Sequence, residues 1–346
     1  MKRSFMFICA AALLLTGCGA SADEASAQLF AMDTVMQLDA YGHQVKQAVS
    51  DAEETIQALE ARLSRTREDS LVSVLNQNGA AQDLSAAEQA LLSEALTFRD
   101  ATGGAFDITI APVMDAWGFT GDSYRVPAQD ELDALLENVN SDEIRLSGSS
   151  VTLGAGQAID LGGIAKGYTS DCVEAVFREN NIESGKISLG GNVFVLGGKP
   201  DGADWRVGIR DPQDENALAA VLTLRDAYAI TSGGYERYFT ENGNTYHHII
   251  DPSTGYPADS GLLSVTVVAE ANGPDFSGPG NGTMCDAFST ALFVMGEERA
   301  LEFWQTGGYD FDLVLVTADG RVIITDGLSD RFEVVKDSGY TYETVS

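Results

Sequence analysis

Residues 186–196 read KISLGGNVFVL, two runs of β-forming residues on either side of a Gly190-Gly191-Asn192 turn. Branched and aromatic side chains favour strands, and paired glycines favour a tight connection between them. Further short strands are predicted downstream, at residues 205–209, 220–224, 247–250, 263–269, 311–317 and 321–325. Because helices and strands are partly segregated along the chain, the sequence predicts an α+β fold with a largely antiparallel sheet, not a doubly wound parallel one.

The first half of the chain supplies helices that we expect to flank this sheet. Apolar residues spaced three and four apart from Val45 to Leu63 predict an amphipathic helix. Ser85 and Glu88 form a capping box that predicts a second helix, ending near Gly103. Other helices are predicted at residues 127–139 and 283–295, and other strands at residues 30–41, 143–146 and 151–153. No Pro- or Ser-rich linker interrupts the body, so we expect a single domain with two lobes.

Charge and composition exclude two classes of protein. The 346 residues carry 52 acidic and 21 basic side chains, a formal net charge of −31, so the chain lacks the basic surface that nucleic-acid binding needs. Apolar residues make up 44% of the sequence, which is enough for a sizeable core and excludes an intrinsically disordered chain. The acidity favours solubility and identifies no partner.

The N-terminus predicts a lipoprotein signal peptide over residues 1–17. Lys2 and Arg3 precede an apolar run that is too short to span a bilayer, and residues 15–18, LTGC, resemble the lipobox of bacterial lipoproteins. This pattern predicts a lipid on Cys18, a flexible tether over residues 18–28 and a folded domain over residues 29–346. The alternative is an ordinary signal peptide with an incidental cysteine. We expect an extracytoplasmic protein, lipid-anchored at the outer face of the cytoplasmic membrane or on the periplasmic side.

Three glycine-containing segments are candidate ligand loops. In residues 104–109, GAFDIT, Asp107 is placed to accept a hydrogen bond from a ring N–H or a sugar. Residues 160–168, DLGGIAKGY, put glycines and Lys166 at the start of a predicted helix, where free N–H groups and the helix dipole favour a phosphate. The third segment is the turn at residues 188–192. Each has a structural alternative, respectively a turn over an apolar core, helix-capping glycines and a hairpin turn.

Two further segments carry candidate catalytic and metal-binding residues. Adjacent residues on a strand face opposite sides, so only one of His247 and His248 is expected to face a site, where it could accept a proton. Asp286 and Thr290 are four residues apart and share a helix face, and their hard oxygen atoms suit Mg²⁺ or Ca²⁺. The structural alternatives are a strand-end histidine and a helix-terminal aspartate. Together, the five segments predict a nucleotide-like ligand with a metal on its phosphates.

These motifs, in this order, resemble those of the ApbE family of FAD:protein FMN transferases. The resemblance covers roughly residues 29–340 and rests on Met32-Asp33-Thr34, on residues 104–109, 160–167, 190–192 and 248–257, and on Asp286 with Thr290. It implies a Mg²⁺-dependent enzyme that takes FAD as substrate, attaches FMN through a phosphoester to a threonine of a target protein and releases AMP. The implied acceptors are threonine-bearing flavoprotein subunits of Rnf- and Nqr-type membrane electron-transfer complexes.

The resemblance also implies roles for individual residues. The implied flavin contacts are Met32, Ala105, Phe106, Asp107, Asp160, Lys166 and Ile250. The implied metal ligands are the carbonyl of Gly163, Asp286 and Thr290, and we propose His248 as the base for the target hydroxyl.

Two positions depart from the family pattern. Thr66 stands where an aromatic residue is frequent, and Asp33 stands where a glycine is frequent. These departures leave open a Mg²⁺-dependent FAD pyrophosphatase, in which water replaces the threonine. A non-catalytic flavin-binding lipoprotein is a further alternative.

Overall fold

A computed structural model describes residues 23–121, 123–274 and 276–346. Within these ranges the chain forms eight α-helices, one nine-stranded sheet and three smaller sheets. The helices are α1 Val45–Leu63, α2 Leu71–Asn78, α3 Ala86–Ala101, α4 Ala111–Trp117, α5 Gln129–Leu136, α6 Ala165–Glu179, α7 Asn281–Met295 and α8 Glu297–Thr306. The strands are β1 Asp23–Ala31, β2 Thr34–Gly42, β3 Ala80–Ala81, β4 Arg145–Ser147, β5 Ser150–Thr152, β6 Ser184–Leu189, β7 Asn192–Leu196, β8 Trp205–Asp211, β9 Asp214–Leu224, β10 Ala227–Gly233, β11 Tyr238–Glu241, β12 Asn244–His247, β13 Leu262–Glu270, β14 Asp312–Thr317, β15 Arg321–Thr325, β16 Phe332–Val334 and β17 Thr341–Val345.

The nine-stranded sheet has the order β1-β2-β6-β7-β10-β13-β14-β15-β17. Its pairs are antiparallel except for β15 and β17, which are parallel. The β6–β7 hairpin turns at Gly190 and Gly191, whose φ values of 60° and 96° suit a tight two-residue turn. This architecture confirms the predicted α+β fold with a largely antiparallel sheet and flanking helices.

Three apolar clusters hold the layers together. The largest lies between one face of the main sheet and the helices, and α1 contributes Val49, Ala52 and Ile56 at helical spacing. The second lies between the other face of the main sheet and the three-stranded sheet β16-β9-β8. The third surrounds Trp117, whose indole N–H donates to the carbonyl oxygen of Gly255 at 2.7 Å.

Helices α6 and α7 pack in close contact through two glycines. A Cβ added to Gly167 would lie 2.2 Å from the carbonyl oxygen of Gly282. A Cβ added to Gly282 would lie 2.8 Å from the carbonyl oxygen of Gly167. Because neither position has room for a side chain, the two helix backbones lie closer together than larger residues would allow.

A buried carboxylate on α6 holds the N-terminus of α7. The two oxygens of Asp171 accept hydrogen bonds from the backbone N–H groups of Gly280, Gly282 and Thr283 at 2.8–2.9 Å. The side-chain amide of Asn272 donates to the same carboxylate at 2.8 Å. An anion at this position satisfies the free N–H groups of the first helical turn and interacts favourably with the helix dipole.

Several predicted elements agree with the structure. The helices predicted from apolar spacing correspond to α1, α5 and α7, and the capping box of Ser85 and Glu88 begins α3. The strand predicted over residues 247–250 is wrong for most of its length, because β12 ends at His247 and Ile250 forms only an isolated bridge with Pro257. The helices α2, α4 and α8 and the strands β3, β10, β11, β16 and β17 were not predicted.

The strand predicted over residues 30–41 is instead the hairpin of β1 and β2. Its turn residues, Met32 and Asp33, have φ values of 49° and 59°. Positive φ at both positions usually calls for glycine or asparagine, so Met-Asp carries little signal for this turn. Aspartate tolerates the left-handed conformation better than most residues, which accounts for Asp33 at a position where glycine is frequent.

The predicted tether over residues 18–28 extends too far, because β1 begins at Asp23 and pairs there with Gly42. Ala25, Ala27 and Leu29 alternate along β1 and pack against the main core. Small side chains make this period of two easy to overlook in the sequence. The predicted signal peptide and Cys18 lie outside the described residues. Within the described part of the chain, no helix has both the length and the apolar composition needed to cross a bilayer.

We predict that Gly167→Ala destabilises the protein, because the added methyl group would overlap the backbone of Gly282. Overpacking of this kind costs about 2 kcal/mol of the free energy of unfolding. Urea denaturation followed by circular dichroism measures this change. Gly273→Ala is the control, since a Cβ there meets nothing within 4 Å. Equal stability of the two variants would contradict the close helix contact.

Candidate active site

A cavity of about 360 Å³ lies where the β1–β2 turn, the C-terminal end of β10 and the facing parts of α6 and α7 meet. The residues predicted for the site, Cys18 apart, all line it: Met32, Ala105, Phe106, Asp107, Asp160, Gly163, Lys166, His248, Ile250, Asp286 and Thr290. The fold therefore brings together segments that are far apart in the sequence. Their individual roles remain predictions.

The glycine turn before α6 offers backbone donors and a cation. Asp160 accepts a hydrogen bond from the N–H of Gly162 at 2.7 Å. It also forms an ion pair with Arg65 at 2.8 Å. In the first turn of α6, the N–H of Ala165 donates to the carbonyl oxygen of Leu161 and that of Gly167 to Asp286, whereas no hydrogen bond from the described residues engages the N–H of Lys166. Lys166 Nζ lies 3.5 Å from the carbonyl oxygen of Gly162 and forms no ion pair with any described residue. This combination suits an anionic group such as a diphosphate.

Asp286 and Thr290 lie one turn apart on α7, at the wall of the cavity. Asp286 is only 3% exposed, and its Oδ2 accepts a hydrogen bond from the N–H of Gly167 at 2.8 Å. No hydrogen bond from the described residues reaches Oδ1, which leaves this oxygen for another partner.

The backbone of Gly163 lies close to these side chains. A Cβ on Gly163 would lie 3.5 Å from Thr290 Oγ1, so the glycine turn runs directly beside the hydroxyl. One carboxylate, one hydroxyl and one backbone carbonyl are hard oxygen donors. They fit Mg²⁺, which usually keeps its remaining positions for phosphate oxygens and water.

His248 faces the cavity as a neutral ring. Its Nδ1 lies 3.2 Å from the carbonyl oxygen of Arg237, which can only accept, so Nδ1 carries the proton and Nε2 carries the lone pair. Burial and the charges of Arg237 and Lys166 lower the pKa of His248 to about 3. His247 does not line the cavity; its Nε2 lies 3.1 Å from the carbonyl oxygen of Ala258. The expectation that only one of the two histidines faces the site therefore agrees with the structure.

Asp107 borders the cavity, but its carboxylate is engaged within the protein. Oδ1 accepts hydrogen bonds from the N–H and hydroxyl of Thr109 and from the hydroxyl of Ser141. Oδ2 accepts from the N–H of Ser141 and lies 3.6 Å from Arg99 Nε. Most of the hydrogen-bonding capacity of this carboxylate is therefore used inside the protein, and its predicted contact with a ligand ring stays a prediction.

Sequence reasoning missed three charged residues that shape the cavity. Glu60 accepts a hydrogen bond from the N–H of Met32 at 2.8 Å and so fixes the β1–β2 turn. Arg65 joins Asp160 to Asp115, and Arg237 donates to the carbonyl oxygen of Phe119 and to Asp33. No sequence motif indicates these residues, because each forms its hydrogen bonds with a partner that is distant in the sequence.

The family model described as the ApbE family matches residues 32–312, and the chain belongs to this family. The FAD:protein FMN transferase of Treponema pallidum is 33% identical over 84% of this chain and 83% of its own length. The corresponding protein of Vibrio cholerae is 28% identical over 92% of this chain and 95% of its own length.

Solved structures show the same architecture. The ApbE protein of Thermotoga maritima superposes with a TM-score of 0.80 and 30% identity, covering 89% of this chain and 99% of that one. The flavin transferase ApbE of Vibrio cholerae superposes with a TM-score of 0.74 and 25% identity, covering 92% of this chain and 98% of that one. The predicted family is therefore confirmed.

We predict that His248 makes stability fall in acid. The unfolded chain protonates this histidine near its ordinary pKa of 6.5, whereas the folded protein resists protonation until about 3. Because the unfolded chain then binds a proton that the folded protein does not, the free energy of unfolding decreases as the pH falls from about 6.5 towards 3. The urea midpoint should decrease from pH 7 to pH 5, and this decrease should be smaller in His248→Asn than in the wild type. His43→Asn, at an exposed position before α1, is the control for losing a histidine; an identical drop in wild type and His248→Asn would refute the assignment.

Proposed function

We propose that this protein is an FAD:protein FMN transferase that attaches FMN to a threonine of an acceptor protein. The supporting observation is that Asp286, Thr290 and the Lys166-bearing glycine turn meet in one cavity beside the lone pair of His248. The names of the relatives in Treponema pallidum and Vibrio cholerae agree with this activity.

The reaction is a displacement at the phosphorus of the FMN half of FAD. The threonine oxygen forms a new bond to this phosphorus, and the bond from the phosphorus to the bridging oxygen breaks. AMP leaves with the bridging oxygen, and the hydroxyl proton passes to Nε2 of His248 as the catalytic base. The attacking group belongs to another protein, so this chain needs no nucleophile of its own.

Charge on the diphosphate is the main obstacle to this displacement. The ammonium group and the backbone N–H of Lys166 would stabilise the phosphate oxygens as AMP leaves. The carbonyl of Gly163, Asp286 and Thr290 would hold Mg²⁺, which when bound neutralises charge on the phosphate oxygens.

A neutral His248 is consistent with the proposed role. Without ligand, the charges of Arg237 and Lys166 help to lower its pKa. A bound diphosphate brings negative charge next to the same cations, which raises the pKa of the ring towards the range useful for a base. Its orientation is already set, because the Arg237 carbonyl accepts from Nδ1.

The proposed acceptors are threonine-bearing flavoprotein subunits of Rnf- and Nqr-type membrane electron-transfer complexes. The LTGC segment supports an extracytoplasmic location with a lipid on Cys18, on the same membrane as such complexes. Because β1 begins at Asp23, only residues 19–22 would separate the lipid-bearing residue from the folded body. This arrangement would keep the cavity near acceptors in the same membrane.

We predict that Asp286→Asn lowers the rate of FMN transfer by at least about 100-fold, the order of magnitude for losing one group that stabilises transition-state charge. Purified protein is incubated with FAD, Mg²⁺ and an acceptor domain, and covalent flavin is read from fluorescence in a denaturing gel. Asp133→Asn, at an exposed position on α5, is the matched control and should keep wild-type transfer. Full transfer by Asp286→Asn would refute the metal assignment. Absence of transfer by the wild type across plausible acceptors would refute the proposed activity.

Hydrolysis of FAD to FMN and AMP is a second candidate, favoured by one observation. Thr66 is exposed at the rim of the cavity, and among the described residues its hydroxyl hydrogen-bonds only to Ser64, at 3.0 Å. A small side chain here leaves room for water where a ring would cover the ligand. Multiple-turnover release of AMP without any acceptor would identify a hydrolase. In that case Thr66→Tyr should lower AMP release, whereas a transferase releases AMP only with an acceptor.

A further inference from the structure

Three hydroxyl groups form a continuous chain behind the proposed cation site. Ser232, at the end of β10, lies with its Oγ 2.8 Å from Ser289 Oγ and 3.2 Å from Thr290 Oγ1. Ser289 is fully buried, whereas Ser232 and Thr290 are partly exposed at the cavity wall. The chain therefore joins the interior of α7 to the side chain proposed as a cation ligand.

The Asp286 carbonyl at the buried end of this chain can only accept, and placing the Ser289 proton on it assigns the direction of the other protons. The hydroxyl of Ser289 donates to the carbonyl oxygen of Asp286 at 2.9 Å, and a hydroxyl has only one proton to donate. Ser289 Oγ must therefore accept from Ser232. Since the proton of Ser232 is then in use, Ser232 Oγ must accept from Thr290. Each of the three oxygens donates once, and the polarity runs from Thr290 towards the backbone of Asp286.

This polarity determines what Thr290 can offer to the cavity. Its proton is directed to Ser232, and no other hydrogen bond from the described residues engages its oxygen. A hydroxyl binds a cation through a lone pair, and a proton aimed at the cation would oppose binding. We propose that Ser232 is a positioning residue that holds the Thr290 hydroxyl in the one orientation that can ligate Mg²⁺; this inference rests on the cation site of the proposed function.

The same chain links both side-chain ligands of that site. It begins at Thr290 and ends at the carbonyl of Asp286, whose carboxylate is separately oriented by the N–H of Gly167. Outer groups that orient metal ligands typically change metal affinity 10- to 100-fold when they are removed. Ser232 sits on the sheet and not on α7, so it also ties the helix-borne ligand to β10.

The test measures cation binding, with Mn²⁺ as the probe. Full-length protein is titrated with Mn²⁺ without added nucleotide, because a diphosphate would itself bind the cation, and free Mn²⁺ is followed by electron paramagnetic resonance. We expect Ser232→Ala to weaken Mn²⁺ binding about 10-fold. Ser232→Thr, which keeps a hydroxyl, should restore most of the affinity.

Two further variants separate orientation from simple loss of a buried hydroxyl. Ser289→Ala should also weaken Mn²⁺ binding, although no hydrogen bond joins its side chain to Thr290, because the proton of Ser232 becomes free to point at Thr290. Thr266→Val is the matched control: Thr266 Oγ1 lies 2.7 Å from Thr231 Oγ1 in a neighbouring hydroxyl pair outside the chain. This variant should cost stability and leave Mn²⁺ affinity unchanged.

Each outcome bears on the proposal. Wild-type Mn²⁺ affinity in folded Ser232→Ala would overturn it. If Ser232→Ala does not fold, wild-type Mn²⁺ affinity in Ser289→Ala would overturn the proposal instead. Equal loss of affinity in Thr266→Val would also overturn it, since the effect would then be general. Absence of Mn²⁺ binding by the wild type would overturn both the orientation and the cation site. If Mn²⁺ binding depends on Ser232 but the wild type transfers FMN to no acceptor, only the proposed activity would be overturned.

Discussion

The position of α7 depends on one buried anion, the carboxylate of Asp171. Its hydrogen-bond partners are donors: backbone N–H groups at the helix N-terminus and the side chains of Thr283 and Asn272. Burial raises the pKa of Asp171, and this ring of donors opposes the rise by favouring the ionised form. A rotation of α7 by a single residue, about 100°, would carry Asp286 and Thr290 away from the cavity. The close approach at Gly167 and Gly282 adds a steric restraint to this electrostatic one.

The cavity must attract an anion in a strongly acidic protein. A net charge of −31 repels a diphosphate at long range, so attraction has to come from groups at contact distance. Arg65 and Arg237 line the cavity but are paired with carboxylates, whereas Lys166 has no ion-pair partner in the described ranges. Arg65 and Arg237 thus stabilise the structure of the cavity wall, whereas the ammonium group of Lys166 is available to a ligand.

Sequence reasoning succeeded where a signal is local and repeated. Apolar spacing predicted α1, a capping box predicted α3, and the four-residue spacing of Asp286 and Thr290 placed both on one helix face. It failed where the conformation goes against the usual residue preference, as in the turn at Met32.

It also failed where small side chains hid a strand, as in the N-terminal part of β1, and it gave no sign of the distant partners that polar groups bond in the fold. Asp107 illustrates the last case, because no nearby residue reveals that Ser141 occupies its carboxylate. Long-range partners such as Arg65 and Glu60 become evident only once the chain is folded.

The strand β1 has a mechanical consequence for the cavity. It runs without interruption from Asp23 to Ala31, next to the turn at the cavity edge, and its whole length pairs with β2. A pull applied at the N-terminal end is directed along the strand and loads all of these backbone bonds in shear, the geometry in which hydrogen bonds share force instead of opening one at a time. Tension applied at that end would therefore be shared along the hairpin before it reached the turn at the cavity edge.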